Sequence, residues 1–223
     1  MDLRSAREAK GWTQQETAEK LGVSQAYLSL LESRRRRPSP RLLNRLARVF
    51  DWPATALPPR HETTAATPGD LAAALATLGY QPFQHFARHT PLVNPAEVLF
   101  AALQVDALEP RVADALPWLV NRYPDLDWTW LLPRVKANDR QNRLGFVVSL
   151  ARQLAERRGE SGPAEALRSV EATLERSKLV REDVFGRSAL TASESRWLRE
   201  HRPEEARQWN VLSNMRLEHL HAF

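Results

Sequence analysis

The fold of the first part of the chain is decided by residues 13–32, which read TQQETAEKLGVSQAYLSLLE. Thr13 can accept a hydrogen bond from the backbone at the start of one helix, and Ser24 can do the same for a second helix. Gly22 lies between them, and glycine tolerates the left-handed backbone of a tight turn. Apolar residues recur at helical spacing on both sides of this glycine. The sequence therefore predicts two short helices joined by a sharp turn.

The second of these helices has an apolar side and a polar side. Leu28 and Leu31 are expected to face inward, which leaves the opposite side exposed near the start of the helix. Glutamine can bond to adenine, alanine can touch a thymine methyl group, and hydroxyl groups can reach phosphates. The exposed side carries such residues, namely Ser24, Gln25, Ala26, Tyr27 and Ser29, with Leu30 at its edge. This pattern is typical of a helix-turn-helix that reads the major groove of double-stranded DNA.

Four consecutive arginines follow this helix almost at once. Residues 1–60 contain 12 basic and 6 acidic residues, a net charge of +6, while the whole chain has a net charge of +5. Arginine runs are more often solvated loops than binding sites, but the position beside a recognition helix favours contact with DNA phosphates. We expect these contacts from Arg34, Arg35, Arg36 and Arg37, joined by Arg41, Arg45 and Arg48.

The segment from Leu3 to Leu57 resembles the Cro/phage-repressor-like helix-turn-helix regulators, which form the XRE family. The resemblance rests on residues that occur in register, namely Gln14, Ala18, Leu21, Gly22, Val23, Ser24, Leu31, Glu32 and Pro38. It implies a five-helix, lambda-repressor-like DNA-binding domain. It also implies that Gln14 contacts a backbone phosphate and that Gln25, Ala26 and Ser29 lie over the major groove.

Two positions depart from the pattern of that family. Thr17 stands where leucine is usual, and Arg34 replaces the glycine that is common after the recognition helix. Glycine adopts a left-handed backbone readily, so an arginine at this position leaves the shape of the following loop open.

The rest of the chain predicts a linker and a larger helical domain. Pro58 and Pro59 precede a stretch without a periodic apolar face, so we place a linker at residues 58–69. It separates a DNA-binding domain at residues 1–57 from a second domain at residues 70–223. Helical periodicity continues through the second domain and strand alternation is not sustained, which predicts an all-α protein. We expect the second domain to mediate dimerisation or partner binding.

Capping residues and apolar spacing predict the helices of the second domain. They are expected at Asp70 to Leu78, Pro95 to Val105, Glu109 to Tyr123, Asp125 to Val135, Asp139 to Arg158, Pro163 to Leu179, Thr191 to His201, and Pro203 to Leu220. Pro117 is expected to kink the helix that contains it, because its ring clashes with the preceding turn.

Composition excludes several classes of protein. The chain contains no cysteine, so it has neither disulfide bonds nor cysteine-ligated zinc. No run of about 18 apolar residues occurs, and the N-terminus has no apolar signal segment. We therefore expect a cytoplasmic protein that does not bind a membrane.

Candidate metal-binding and catalytic groups are few. His85 and His89 would share a helix face, but no third ligand is evident. Asp125, Asp127 and Asp139 lie at predicted helix starts, where aspartate caps the backbone and favours the helix dipole. We expect no metal, no cofactor and no catalytic activity.

The second domain is rich in tryptophan, with five of the seven in the chain. Most are expected in the core, since large aromatic rings dominate both cores and interfaces. The sequence DLDWTWLL places Trp128 and Trp130 well apart around a helix, so both can hardly face one core. We expect one of these two residues to anchor a partner.

A weaker resemblance covers LPWLVNRYPDLDWTWLLPRVKANDRQNRLGFVVSLARQLAE in the second domain. This stretch is similar to the helical domain of antitoxins encoded beside nucleotidyltransferase-type toxins. That resemblance implies a second domain that neutralises a toxin while the first domain represses the operon. Four interpretations are thus open: a dimeric repressor that binds an operator, an antitoxin, an enzyme tethered to DNA, and a sensor of a small molecule.

Overall fold

The computed structural model describes residues 2–59, 66–87, 90–187 and 190–220. The chain divides into two compact units, Met1–Pro58 and Pro59–Phe223. Both units are mostly helical and contain almost no strand, which confirms the all-α fold class. Part of the predicted linker, residues 60–65, lies outside the described residues.

The first unit contains four α-helices and one short 3-10 helix. They are α1 (Leu3–Ala9), α2 (Gln14–Leu21), α3 (Gln25–Glu32), α4 (Pro40–Phe50) and the 3-10 helix Ala54–Ala56. The family resemblance implied five helices, and the fifth is this single turn. Pro53 precedes it and Pro58 follows closely, and the residue before a proline is driven towards extended backbone. Leu57 accordingly has φ −69° and ψ 135°, which ends the turn.

The predicted caps around the turn between α2 and α3 are confirmed. The Thr13 hydroxyl accepts a hydrogen bond from the Glu16 amide, and the Glu16 side chain accepts one from the Thr13 amide. Gly22 has φ 61° and ψ 42°, the left-handed conformation expected there. The Ser24 hydroxyl accepts a hydrogen bond from the Tyr27 amide at 3.2 Å. Short-range hydrogen bonds therefore fix the start of both helices, and Gly22 ends the first of them.

The core of the first unit lies between α2, α3 and α4. It contains Ala18, Leu21, Leu28, Leu31, Leu42, Leu46 and Phe50. Trp12 and Trp52 pack on Phe50, with ring centroids 5.6 Å and 5.2 Å away. Thr17 is fully buried, and its hydroxyl donates to the Thr13 carbonyl at 2.9 Å, so its polar atom is satisfied where the family usually has leucine.

The second unit contains eight α-helices among its described residues, two short 3-10 helices and a small sheet. The α-helices are α5 (Pro68–Thr77), α6 (Pro95–Gln104), α7 (Pro110–Arg122), α8 (Trp128–Ala137), α9 (Gln141–Arg157), α10 (Ser161–Glu175), α11 (Ala192–His201) and α12 (Glu204–Gln208). The 3-10 helices are Gln81–Phe86 and Leu217–His219. The sheet consists of β1 (Asp183–Val184) and β2 (Val211–Leu212), which pair in parallel.

Helix α9 runs through the middle of the second unit. Its first eleven residues, Gln141 to Ala151, are all buried. Trp209 is also fully buried and lies on α9 at Gly145, where a Cβ atom would come within 2.2 Å of the indole ring. Only glycine leaves room for this ring, so Gly145 sets how closely Trp209 packs on α9.

Polar side chains on α9 tie distant segments to it. Arg143 donates two hydrogen bonds to the Asp183 carboxylate, at 2.7 Å and 2.8 Å, and one to the Leu103 carbonyl at 2.9 Å. Trp209 Nε1 donates to Ser149 Oγ at 2.7 Å. These groups are buried and need internal partners, because an unpaired buried polar group is costly.

Several predicted helix starts in the second unit are wrong, among them Asp125, because α8 begins at Trp128. Helix α5 begins at Pro68, with Thr67 as its cap, while Asp70 completes the capping box from the third helical position. Asp139 does not cap α9. It has φ 56° in the loop after α8, and α9 begins at Gln141. Asp127 does cap its helix, because its Oδ1 accepts from the Trp130 amide at 2.9 Å.

The predicted helix from Pro203 to Leu220 is also wrong. Only Glu204–Gln208 is α-helical. Asn210 has φ 52°, which breaks the helix, and Val211–Leu212 then pairs with β1. Burial of Trp209 and pairing with a distant strand override the local helix preference.

Two other helices differ in detail from the sequence pattern. Helix α7 continues through Pro117, and α10 begins at Ser161, two residues before the predicted start at Pro163.

No helix in the described part of the chain is long and apolar enough to cross a membrane.

Candidate DNA-binding interface

The side of α3 that faces away from the core is exposed and polar. Gln25, Ala26 and Ser29 are exposed, as predicted, and Leu30 is 36 % exposed beside them. Gln25 and Ser29 are four positions apart and therefore share one face of the helix. Their amide, methyl and hydroxyl groups are the kinds of group that contact base edges.

Two other residues predicted on this surface have structural partners. Tyr27 is half-buried and packs against the core of the first unit. Ser24 is exposed, but its hydroxyl already accepts the hydrogen bond from the Tyr27 amide. Phosphate contact through either hydroxyl stays a prediction, and Ser24 has only its hydroxyl hydrogen left to donate.

The four arginines after α3 project from a defined turn. Arg34 has φ 57°, so it adopts the left-handed backbone that glycine often provides. The Arg35 and Arg36 amides both donate to the Leu30 carbonyl, at 2.9 Å and 3.2 Å, which closes the end of α3. All four side chains, Arg34 to Arg37, are exposed, and none forms an ion pair with another described residue. They are therefore accessible to phosphates beside the recognition helix.

Gln14 is partly engaged inside the first unit. Its Nε2 donates to the Glu32 carboxylate at 2.8 Å, and Arg7 Nε donates to the same carboxylate at 2.7 Å. Burial by itself raises the pKa of Glu32, but hydrogen bonds from Arg7 and Gln14 outweigh it, so the pKa lies below its usual value. An amide has two N–H groups, so one N–H of Gln14 is left for the phosphate contact that the resemblance implies.

Arg45 makes a contact inside the first unit that the sequence did not indicate. Its Nη1 donates to the Leu21 carbonyl at 2.6 Å, at the end of α2, while the residue as a whole is exposed. The last carbonyls of a helix lack partners within it and attract cations, which explains this contact. Arg41 and Arg48, on the same helix as Arg45, are exposed.

The two tryptophans of α8 differ in burial, and an anchoring role for Trp128 stays a prediction. Trp130 is 8 % exposed, its ring lies 5.8 Å from Phe100, and the Arg134 guanidinium lies 4.5 Å from its centroid. Trp128 is half-buried, and its Nε1 donates to the Pro124 carbonyl at 3.2 Å. The expectation that one of them anchors a partner is wrong for Trp130, because α8 packs against α6 on that side.

The exposed tryptophan of the second unit is Trp197 on α11. It is 51 % exposed and stacks on His201, with ring centroids 4.6 Å apart. Sequence reasoning missed it, although the segment ASESRWLREH carries a signal. Leu198 supplies the apolar contact of this short polar helix and is buried, which leaves the adjacent tryptophan on another face.

A cavity of about 610 Å³ lies in the described part of the second unit. It is lined by Ala107, Leu108, Glu109, Pro110, Asp114, Gly186, Arg187, Leu190, Glu194, Ser213, Asn214 and Met215. Arg187 Nε donates to Asn214 Oδ1 at 3.3 Å, and the Glu194 carboxylate accepts from the Thr191 amide at 2.8 Å. Arg187 thus ties two loops together, and Glu194 stabilises the start of α11.

The residues considered as metal ligands are only partly described by the structure. No group of three or more histidine, aspartate or glutamate side chains is placed to hold a metal within residues 2–59, 66–87, 90–187 and 190–220. His85 packs on Phe86, with ring centroids 4.0 Å apart. His89, the other half of the predicted pair, lies outside the described residues.

Comparison with known proteins identifies the first unit. Residues 3–56 match a helix-turn-helix family model, a span that covers α1 to α4 and the 3-10 helix. The first unit is thus a Cro/repressor-like helix-turn-helix domain, and the protein is a DNA-binding transcription regulator. No curated protein and no solved structure gives a significant match to the chain.

Proposed function

We propose that the protein is a repressor that recognises a specific operator as a homodimer. The observation that carries this proposal is the exposed side of α3, where Gln25, Ala26 and Ser29 lie directly before four exposed arginines. In this arrangement the first group reads base edges, and Arg34 to Arg37 hold phosphates. The free N–H of Gln14 adds a further phosphate contact.

The proposal includes dimerisation because α3 is short. A helix of eight residues contacts few base pairs, so one copy gives little discrimination between sequences. Two copies related by a two-fold axis read half-sites about 34 Å apart, or a multiple of that distance. We assign the dimer contacts to the second unit. A dimer that occupies a promoter represses it by excluding the polymerase.

Selection of binding sites from a random duplex library tests the operator proposal. We expect a near-palindromic sequence that binds one dimer, with mass measured on the native protein and its complex. Changing Gln25 to Ala should weaken operator binding by about 1 to 3 kcal/mol and relax the base preference at one position of each half-site. Equal loss of affinity for random DNA would refute base reading by Gln25.

Changing Arg35 or Arg36 to Ala provides the contrasting measurement. Each change should weaken all duplexes alike and reduce the slope of log affinity against log salt concentration by about 0.9. A loss restricted to the operator would contradict phosphate contact by these arginines.

An antitoxin is the alternative function, and the exposure of Trp197 favours it. A half-exposed tryptophan on the second unit is the type of residue that dominates protein interfaces. In this alternative the second unit neutralises a toxin and the first unit represses the shared operon. Co-purification with the product of the neighbouring gene would support the antitoxin. A stable homodimer that does not bind this product would support a repressor without antitoxin function.

We assign no catalytic role and no cofactor to the protein. The charged groups at the described core of the second unit have structural partners, as Arg143 has in Asp183. The serine that could serve as a nucleophile, Ser149, donates to Glu171 and accepts from Trp209 in a fully buried position. Ligand-dependent stabilisation of the protein by a metabolite panel would instead support a small-molecule sensor.

A further inference from the structure

Arg45 connects α4 to the turn of the helix-turn-helix. Its Nη1 lies 2.6 Å from the carbonyl oxygen of Leu21, the last residue of α2. Gly22 follows with a left-handed backbone, and a Cβ atom on Gly22 would lie 2.6 Å from the same Nη1. The guanidinium therefore fills the space above the turn.

The contact joins the parts of the first unit that set the direction of α3. The next residue on α4, Leu46, is buried in the core, so the backbone that carries Arg45 is fixed. The Gly22 amide is bonded within α2 to Glu19, whereas the Leu21 carbonyl receives its charge-assisted hydrogen bond from Arg45. Two residues beyond Gly22, Ser24 caps α3. Movement of the turn would thus change the angle at which α3 leaves it.

We propose that Arg45 is a positioning residue for DNA recognition, which holds the turn between α2 and α3 and does not bind a phosphate. The proposal rests on operator recognition by α3, as described above. It assigns to Arg45 a role different from that of the arginines after α3, although all carry the same charge.

The two roles differ in what they do to binding. An arginine that binds a phosphate contributes affinity for every duplex, and its loss reduces the salt slope by about 0.9. An arginine that positions α3 contributes affinity only for the operator, because only there does α3 contact the correct base edges. Its loss lowers the ratio of operator affinity to random-duplex affinity and leaves the salt slope unchanged.

The test compares Arg45→Met with Arg48→Met in the full-length protein. Arg48 lies on the same helix and is exposed, so its variant removes the same charge without removing the contact to Leu21. Affinities for the selected operator and for a random duplex are measured over a range of salt concentrations, well below the melting temperature of each variant. Every variant is folded at the temperature of measurement. If Arg45 contributed only to stability, its replacement would therefore leave the affinities unchanged.

Arg45→Met should lose roughly tenfold in operator affinity, the size of one charge-assisted hydrogen bond, with the wild-type salt slope and the wild-type affinity for random DNA. The ratio of affinities should be unchanged in Arg48→Met. A shallower slope with an unchanged ratio in Arg45→Met would overturn the proposal in favour of phosphate contact. A lower melting temperature with unchanged affinities would overturn it in favour of a purely structural role.

Gly22→Ala adds an independent check on the contact. The new methyl group would meet Arg45 Nη1, and this clash is absent when residue 45 is methionine. Gly22→Ala should therefore reduce the affinity ratio less in the Arg45→Met background than in the wild type. Equal reductions in both backgrounds would contradict the contact.

These outcomes are distinct from failure of the proposed function. If the wild-type protein binds no duplex at low ionic strength, operator recognition itself fails. If Gln25→Ala lowers the affinity ratio and Arg45→Met does not, recognition by α3 stands and only the role of Arg45 fails.

Discussion

Helix α3 of the first unit and helix α9 of the second both carry polar side chains. On α3 these side chains lie in solvent, whereas on α9 they are buried. Gln25 and Ser29 on α3 are exposed, whereas Asn142, Arg143 and Ser149 on α9 are buried and bonded to other segments. The polar groups of α3 are thus available to a partner, while those of α9 form hydrogen bonds inside the second unit. Polar residues on a helix indicate recognition only when the helix leaves them in solvent.

This difference predicts where substitutions act. Changes on α3 and in the arginine run should alter DNA binding with little effect on stability. Changes on or around α9 should lower the free energy of unfolding of the second unit.

Trp130→Ala should lower the free energy of unfolding of the second unit by about 3 to 5 kcal/mol, because it empties a buried site beside Phe100. Trp197→Ala is the matched control on an exposed tryptophan, and its effect should stay within about 0.5 kcal/mol. Urea unfolding measures both. Similar values for the two variants would contradict the placement of these rings.

Arg143→Met should destabilise the second unit by about 3 kcal/mol, because it leaves the carboxylate of Asp183 without its bidentate partner. Arg35→Met removes the same charge from an exposed position and should change the unfolding free energy by less than about 0.5 kcal/mol. Thermal unfolding of both variants gives the comparison. The division between the two units would be wrong if Arg35→Met were the more damaging change.

Gly145→Ala should destabilise the second unit by about 1 to 3 kcal/mol, because the new methyl group overlaps the ring of Trp209. Gly162→Ala is the matched control, since it lies in α10 with no atom within 4 Å of the added Cβ. It should be neutral or slightly stabilising. The shift of the urea midpoint measures each effect, and a neutral Gly145→Ala would mean that Trp209 does not lie on α9.

The smallest effect concerns Glu32, whose pKa is below its usual value in the folded protein. Its stabilising contribution is complete above the ordinary glutamate pKa of about 4.3 and is lost as the pH falls through the lowered folded-state pKa. Hydrogen-exchange protection factors of α1 to α3, taken relative to the intrinsic exchange rate at each pH, should therefore fall in acid. The fall attributable to this group should correspond to less than about 1 kcal/mol of opening free energy. Glu32→Gln should reduce this pH dependence, and an unchanged dependence would remove Glu32 as its source.

The first unit could be predicted from sequence because its determinants are local. Thr13, Gly22 and Ser24 act within three residues of their partners, so their spacing alone indicates where the two helices begin and end. The end of the second unit could not be predicted in this way. Val211 pairs with Asp183 and Trp209 packs on Gly145, and these partners are far away in sequence.

The candidate site shows the same limit. Exposure of Gln25, Ala26 and Ser29 follows from helical periodicity. The engagement of Gln14 with Glu32 and of Arg45 with Leu21 does not, because these pairs are 18 and 24 residues apart. Helical periodicity therefore indicated which side chains are exposed, but not the internal contacts that Gln14 and Arg45 make.

Site-specific crosslinking is the most direct test of DNA recognition by α3, because the chain has no cysteine and a single introduced cysteine can be labelled uniquely. Ser29→Cys carries a photoactivatable group on α3, and Ser169→Cys carries it on an exposed position of α10. The label at residue 29 should crosslink to bases at one defined position in each half-site, while the label at residue 169 should not. Crosslinks scattered along the duplex, or none from residue 29 in a complex that is otherwise intact, would contradict DNA recognition by α3.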